Sequence, residues 1–175
     1  MMARLSYRPL WRRHLNSRVN PERQAKVGLI TGVRLNDLQD ATKPHPNEVY
    51  RFNPLVDQCI ARVTPEGTVL GRIVYSDYTG PEGSIKIHIT SWHKRWVSRG
   101  LLFVVFDYPF NQLQVSKIFG EIRRSDEETL QFAFKAGFKA EAGLEGVYPN
   151  DDMVIVAMYR ADCRFLGLPP RHKVR

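Results

Sequence analysis

Long apolar runs are absent from this sequence, and nothing in it approaches the roughly 20 consecutive apolar residues that cross a bilayer as a helix. A membrane-spanning helix is therefore not expected. Cysteine is scarce: Cys59 and Cys163 are the only two. They are too few for a disulfide framework or a cysteine-rich zinc site. A reducing cytoplasmic setting and no metal are the expectation. The opening residues MMARLSYRPLWRRHLNSR are charged but lack the apolar stretch of a secretory signal. Internal repeats and low-complexity tracts are missing too. With 43% hydrophobic and 25% charged residues, the 175-residue chain has the composition of one folded domain.

Acidic residues are in deficit, 18 against 26 Lys and Arg, but the deficit is local. Residues 1–26 hold seven basic residues and one acid, and residues 160–175 hold five and one. The segment between them holds fourteen basic residues and sixteen acids. A near-neutral domain thus carries basic ends. We divide the chain into a basic arm over 1–26, a domain over 27–166 and a basic tail over 167–175. Such ends suit a phosphate backbone or an acidic protein surface, or serve only as solvated tails.

Within the arm, Leu10, Trp11, Leu15 and Val19 fall on one face of a short helix over 10–19. VGLITGVRL (27–35) reads as a strand, NDLQDA (36–41) as a short helix with an Asn cap, and TKPHPNEVYRFNP (42–54) as a Pro-rich loop. Three strands follow as a meander: QCIARVT, TVLGRIVYS and SIKIHIT, the first two joined at Pro65-Glu66-Gly67. In the third, Ile85, Ile87 and Ile89 alternate with Lys86, His88 and Thr90, the period-two pattern of a half-buried strand. From Trp96 to Phe110 the period changes to that of a helix, with Pro109 near its C-terminal end. VSKIFGEIRR is a strand. Ser125-Asp126-Glu127-Glu128 then opens a helix with acids in its first turn, and Gly137 stops it. FKAEAGLEGVY and DMVIVAMYR are two last strands. The order β-α-β-β-β-α-β-α-β-β predicts an α/β (α+β) fold, a mixed and mostly antiparallel central sheet flanked by helices.

The segment IFGEIRRSDEETLQFAFKAGF (118–138) resembles the GCN5-related N-acetyltransferase (GNAT) superfamily, nearest to its ribosomal-protein acetyltransferases. Those have a strand ending Glu-Val-Arg-x-x-Asn, a helix, and then Lys-x-Gly-Phe. Glu121 and Gly137-Phe138 stand at the family's spacing, with Asp126 in place of the Asn and Thr129 where a small or hydroxyl residue is common. DMVIVAMYRADCRFL is similar to the family's last strand and exit, and the likeness covers roughly 27–166.

The resemblance implies acetyl-CoA bound where two central parallel strands splay, its pyrophosphate on the amides that open the following helix. The family's loop there is Gln/Arg-x-x-Gly-x-Gly/Ala. The matching stretch is His93, Lys94, Arg95, Trp96, Val97 and Ser98, followed by Arg99. Ser98 is small, but Trp96 stands where the first Gly belongs. An indole there either fills the cradle or swings aside. Together with Asp126 and Thr129, these are the residues implied to bind the cofactor.

The resemblance also implies Glu121 as the base that takes the proton of an attacking amine, its pKa raised by burial. An ion pair with Arg123 or Arg72 is the alternative fate for this carboxylate. Ala133 replaces the family's acid Tyr, with Tyr148 and Tyr108 as stand-ins. His88 with His93, and either cysteine as a nucleophile, are weaker candidates that lack completing partners. Trp92 and Trp96 beside Lys94 and Arg95 have the composition of a base-stacking site, or of ordinary packing. Three functions follow. One is transfer of acetyl from acetyl-CoA to a primary amine, a protein N-terminus or a lysine. Another is a catalytically silent GNAT-fold binding or assembly module, for instance a bacteriophage virion component contacting protein partners through its basic ends. The last is nucleic-acid binding by those ends. The membrane has no part in any of them.

Overall fold

A computed structural model describes residues 50, 53, 56–64, 66, 68–94 and 96–167 in full and 28–31 by backbone. The expected arm over 1–26 with its helix, the helix over 36–41, most of the Pro-rich loop, the tail beyond 167 and Arg95 lie outside the described residues.

Seven strands form one sheet: β1 Gly28–Thr31, β2 Gln58–Val63, β3 Val69–Ser76, β4 Ser84–Ser91, β5 Lys117–Arg123, β6 Lys139–Tyr148 and β7 Asp151–Tyr159. Two α-helices are described, α1 Arg99–Asp107 and α2 Glu127–Ala136. The spatial order is β1-β2-β3-β4-β5-β7-β6. Every neighbouring pair is antiparallel except β4–β5. The expected mixed, mostly antiparallel sheet is thus the observed one. Its parallel step needs a crossover, and α1 supplies it. A second crossover through α2 carries the chain past the future place of β7 to the edge strand β6.

Registers follow the alternation in the sequence. Ile73 faces Ile89, Tyr75 faces Ile87, Ile85 faces Ile118 and Ile118 faces Met158. All of these side chains therefore lie on one face of the sheet. There Ile73, Tyr75, Ile85, Ile87, Ile118 and Met158 join one core with Leu101, Val105 and Phe106 of α1 and Ala133 of α2. Both helices cover this face. The opposite face carries a smaller cluster of Cys59, Ala61, Val63, Val69 and Val74, against which Tyr50 and Trp92 pack.

Local chemistry sets the helix ends. Asp126 Oδ1 accepts from the Thr129 amide at 3.0 Å, Glu127 and Glu128 complement the dipole, and Gly137 closes α2 at φ 105°. The helix expected over 96–110 is shorter than its periodicity suggests. Ser98 adopts extended backbone and its Oγ accepts from the Leu101 amide at 3.2 Å, so α1 starts at Arg99. At the other end Pro109 does not stop the helical path. The chain widens into a π-helical turn over Tyr108–Gln112, closed by the Leu113 amide on the Tyr108 carbonyl at 3.0 Å. Pro109 has no N–H to offer the Val105 carbonyl four residues back. The buried Tyr75 hydroxyl donates to that carbonyl at 2.7 Å.

Candidate functional site

Among the described residues, the sheet opens at the parallel pair β4–β5. Its register covers only Ser84–Lys117, Ile85–Ile118 and Lys86–Phe119. Beyond it, β4 stays paired to β3 as far as Ser91, and β5 stays paired to β7 as far as Arg123. Each strand follows its outer neighbour, and the two part in a fork. Ile85 and Ile87 are 2% and 6% exposed, whereas Ile89, next on the same face, is 41% exposed. The apolar alternation continues into the fork and loses its cover there.

On the helix-bearing side, the fork leads to the start of α1. The first turn of α1 holds no acid, and Arg99 and Gly100 open it. A Cβ built on Gly100 meets nothing within 4 Å. That backbone can accept a close-approaching group. Free amides and the helix dipole make such an end receptive to anions. A cavity of about 160 Å³ lies beside it, lined by Val97, Leu102, Phe132 and Phe165 together with Lys135 and Arg164.

Trp96 is 6% exposed, and its indole lies on β3. A Cβ on Gly71 would come within 2.4 Å of its Cδ2 and Cε3. Its backbone carbonyl accepts from Arg62 Nη1 at 2.5 Å. The indole thus packs one strand away from the gap between β4 and β5. Ser98 and Gly100, both small, sit at the start of α1. The Ser98 cap, which starts α1 later than the apolar period suggests, is the signal that the sequence reading missed.

On the far face, Lys86 and His88 of β4 and Glu121 of β5 flank the crotch of the fork. Lys86 lies level with Phe119, yet its Nζ reaches Glu121 Oε1, two residues further up β5, at 2.7 Å. The side chains are 17% and 31% exposed. Neither arginine expected as a partner takes this carboxylate. The Arg72 guanidinium lies 5.2 Å from the Trp92 ring centre, and that of Arg123 lies 4.1 Å from the Tyr148 ring centre.

His88 stacks on Tyr50 with ring centres 3.6 Å apart, and its Nε2 lies 3.0 Å from Ser76 Oγ. Ser76 Oγ donates to Asp77 Oδ2 at 3.0 Å, so the imidazole Nε2–H donates to the Ser76 oxygen. Burial, helped by the Lys86 charge, pushes the His88 pKa down to about 4 against the opposing pull of Glu121, Asp77 and Asp57. The ring is neutral at physiological pH. The Tyr50 hydroxyl donates to the buried Asp57 Oδ2 at 2.5 Å, and burial with that bond lifts the phenol to about 12.

The other expected site residues spread outward from the fork. His93 and Lys94 are exposed in the turn after β4, where the His93 amide donates to the Leu70 carbonyl at 3.2 Å. Val97 packs on the core. Asp126 caps α2 by accepting from the Thr129 amide. Tyr108 packs on Tyr75 at 5.3 Å, at the closed end of the fork, and Tyr148 lies under Arg123. Neither cysteine is prepared for nucleophilic work. Burial raises the Cys59 thiol to about 12 and raises that of Cys163 as well. Among the described residues no group of three or more His, Cys, Asp or Glu is placed to hold a metal, and no helix is long and apolar enough to cross a membrane.

No protein-family profile and no curated protein matches this sequence. Solved structures do match. A dodecameric spermidine N-acetyltransferase of Vibrio cholerae in an intermediate state superposes with a TM-score of 0.63 at 14% identity, over 78% of this chain and 95% of that one. The Vibrio cholerae spermidine N-acetyltransferase in complex with CoA and spermine superposes at 0.60 and 15% identity, over 78% and 97%. The same organism's spermidine/spermine N-acetyltransferase with manganese ions gives 0.58 at 16%, over 78% and 94%. The chain has the N-acetyltransferase fold, as the resemblance over 118–138 implied.

Proposed function

We propose that this protein is an acetyl-CoA-dependent N-acetyltransferase acting on a primary amine. The observation that carries the reading is the fork, which opens on one face to the capped start of α1 and on the other to the Glu121 carboxylate. Ser98, Arg99, Gly100 and the neighbouring basic residues would hold the phosphates of the cofactor, with Asp126 and Thr129 at the second helix start nearby in sequence to β5. The open space over Gly100 and the Trp96 indole packed on β3 fit that use. The cofactor supplies an activated acetyl thioester. Glu121 takes a proton from the acceptor ammonium, and the freed amine attacks the thioester carbonyl carbon.

Spermidine is the substrate that the names of the structural neighbours give for those enzymes. For this chain a protein N-terminus or lysine is the better acceptor. Lys86 already places a cation beside Glu121, and each additional charge of a polyamine would be repelled there, whereas a protein N-terminus or lysine brings a single ammonium.

Calorimetric titration with acetyl-CoA, with CoA as comparison, tests the reading. Micromolar binding is the expected result, with Glu121→Gln lowering turnover about a hundredfold. Absence of binding at millimolar cofactor would sink it. The second reading, a silent module in the cytoplasm or a virion, rests on Ala133 at the family's acid position, 8% exposed in the core, and on the basic ends. It predicts a protein partner captured through those ends. A nucleic-acid ligand would show itself as steep loss of binding with salt.

A further inference from the structure

The ammonium of Lys86 occupies the place an acceptor amine needs. Lys86 is the last β4 residue in register with β5, and its side chain leans toward the open end of the fork to meet Glu121 at 2.7 Å. The pair sits on the face opposite both helices, at the point where the strands separate. At 17% exposure Lys86 is shielded from bulk reagents. Lys139 at 73% is far more accessible, and its Nζ pairs with Asp162.

We propose that the chain acetylates itself at Lys86, using Glu121 as base and an acetyl thioester entering the fork. This rests on the function proposed above. Glu121 removes one proton from Nζ, and the nitrogen lone pair forms a bond to the thioester carbonyl carbon. The carbon–sulfur bond breaks, and the thiolate leaves and is protonated by the second nitrogen proton. The products are N-acetyl-lysine and CoA, and the proton on Glu121 passes to solvent. Nζ then carries no charge, so the ion pair across the crotch is lost. Holding nucleophile and base in contact makes the reaction intramolecular, which is why a poorly exposed lysine outruns exposed ones.

The experiment incubates the full chain with acetyl-CoA and no other acceptor, then follows each lysine by peptide mass spectrometry. The expected result is an acetyl group on Lys86 ahead of Lys139, at a rate independent of protein concentration. Glu121→Gln should slow the mark about a hundredfold. Lys86→Arg keeps the ion pair and should abolish the mark while acetyl-CoA binding by calorimetry persists. Labelling of Lys139 ahead of Lys86 overturns the inference from the unaltered chain alone, whatever the variants do. Acetyl-CoA binding with no mark on Lys86 overturns it and leaves the proposed function standing. Absence of binding overturns both.

Discussion

At the scale of single residues, contacts that no pattern reveals carry sharp consequences. Gly71 lies under the Trp96 indole, and a Cβ there would overlap the ring at 2.4 Å. Gly71→Val is expected to cost about 1–3 kcal/mol, seen as a lower urea midpoint with an unchanged slope. His88 carries a pH dependence whose sign is definite. Its folded pKa is near 4 against an ordinary 6.5, so between these values the unfolded chain binds more protons. Stability should fall as pH drops through that window and level off below it. The loss is of order 1–2 kcal/mol, allowing for the partial exposure of the ring. Urea unfolding of the unaltered protein and of His88→Asn over this range measures it, and the variant should lack that part of the slope. Alternation put His88 on the polar side of its strand. The Tyr50 stack and the Ser76 bond that bury it come from elsewhere in the chain.

At the scale of elements, helix ends decide more than helix interiors. For α2 the sequence was legible in its first-turn acids and in Gly137, which act as expected, while Asp126, singled out for the cofactor, is the N-cap. Asp126→Ala should remove about 1 kcal/mol, and Gly137→Ala about 1–2 kcal/mol because φ is positive there. Thermal melts of both variants check this, with the structure of the fork unchanged. For α1 the apolar stripe marked the helix but not its limits. Ser98 starts it three residues late, and the chain continues past Pro109 because Tyr75, distant in sequence, donates to the Val105 carbonyl. Tyr75→Phe should cost about 1 kcal/mol and loosen the π-helical turn, read as faster amide exchange at Leu113.

At the scale of the whole molecule, the proposed function depends on a sheet that fails to close. β4 and β5 share only three register pairs, and each is held open by its other neighbour. Backbone amides of Ile87–Ser91 that face the fork are expected to exchange faster than those paired to β3. Addition of acetyl-CoA should slow them, while the edge strand β6 stays unchanged. Hydrogen exchange with and without acetyl-CoA decides this, and slowing at β6 instead of the fork would count against the site.

By itself the sequence determined the order of the described elements, the mixed sheet and the span of α2, because alternation, helical period and end chemistry act over a few residues. It also determined the likeness over 118–138 that singled out Glu121. Only the tertiary structure decided the partner of Glu121, the direction of Trp96 and the start of α1. These depend on which groups meet in the fold: Lys86 on the neighbouring strand, the bare backbone of Gly71 under the indole, and the Leu101 amide on the Ser98 hydroxyl. Such meetings arise from long-range pairing and packing, where several residues of similar local pattern compete and burial selects among them.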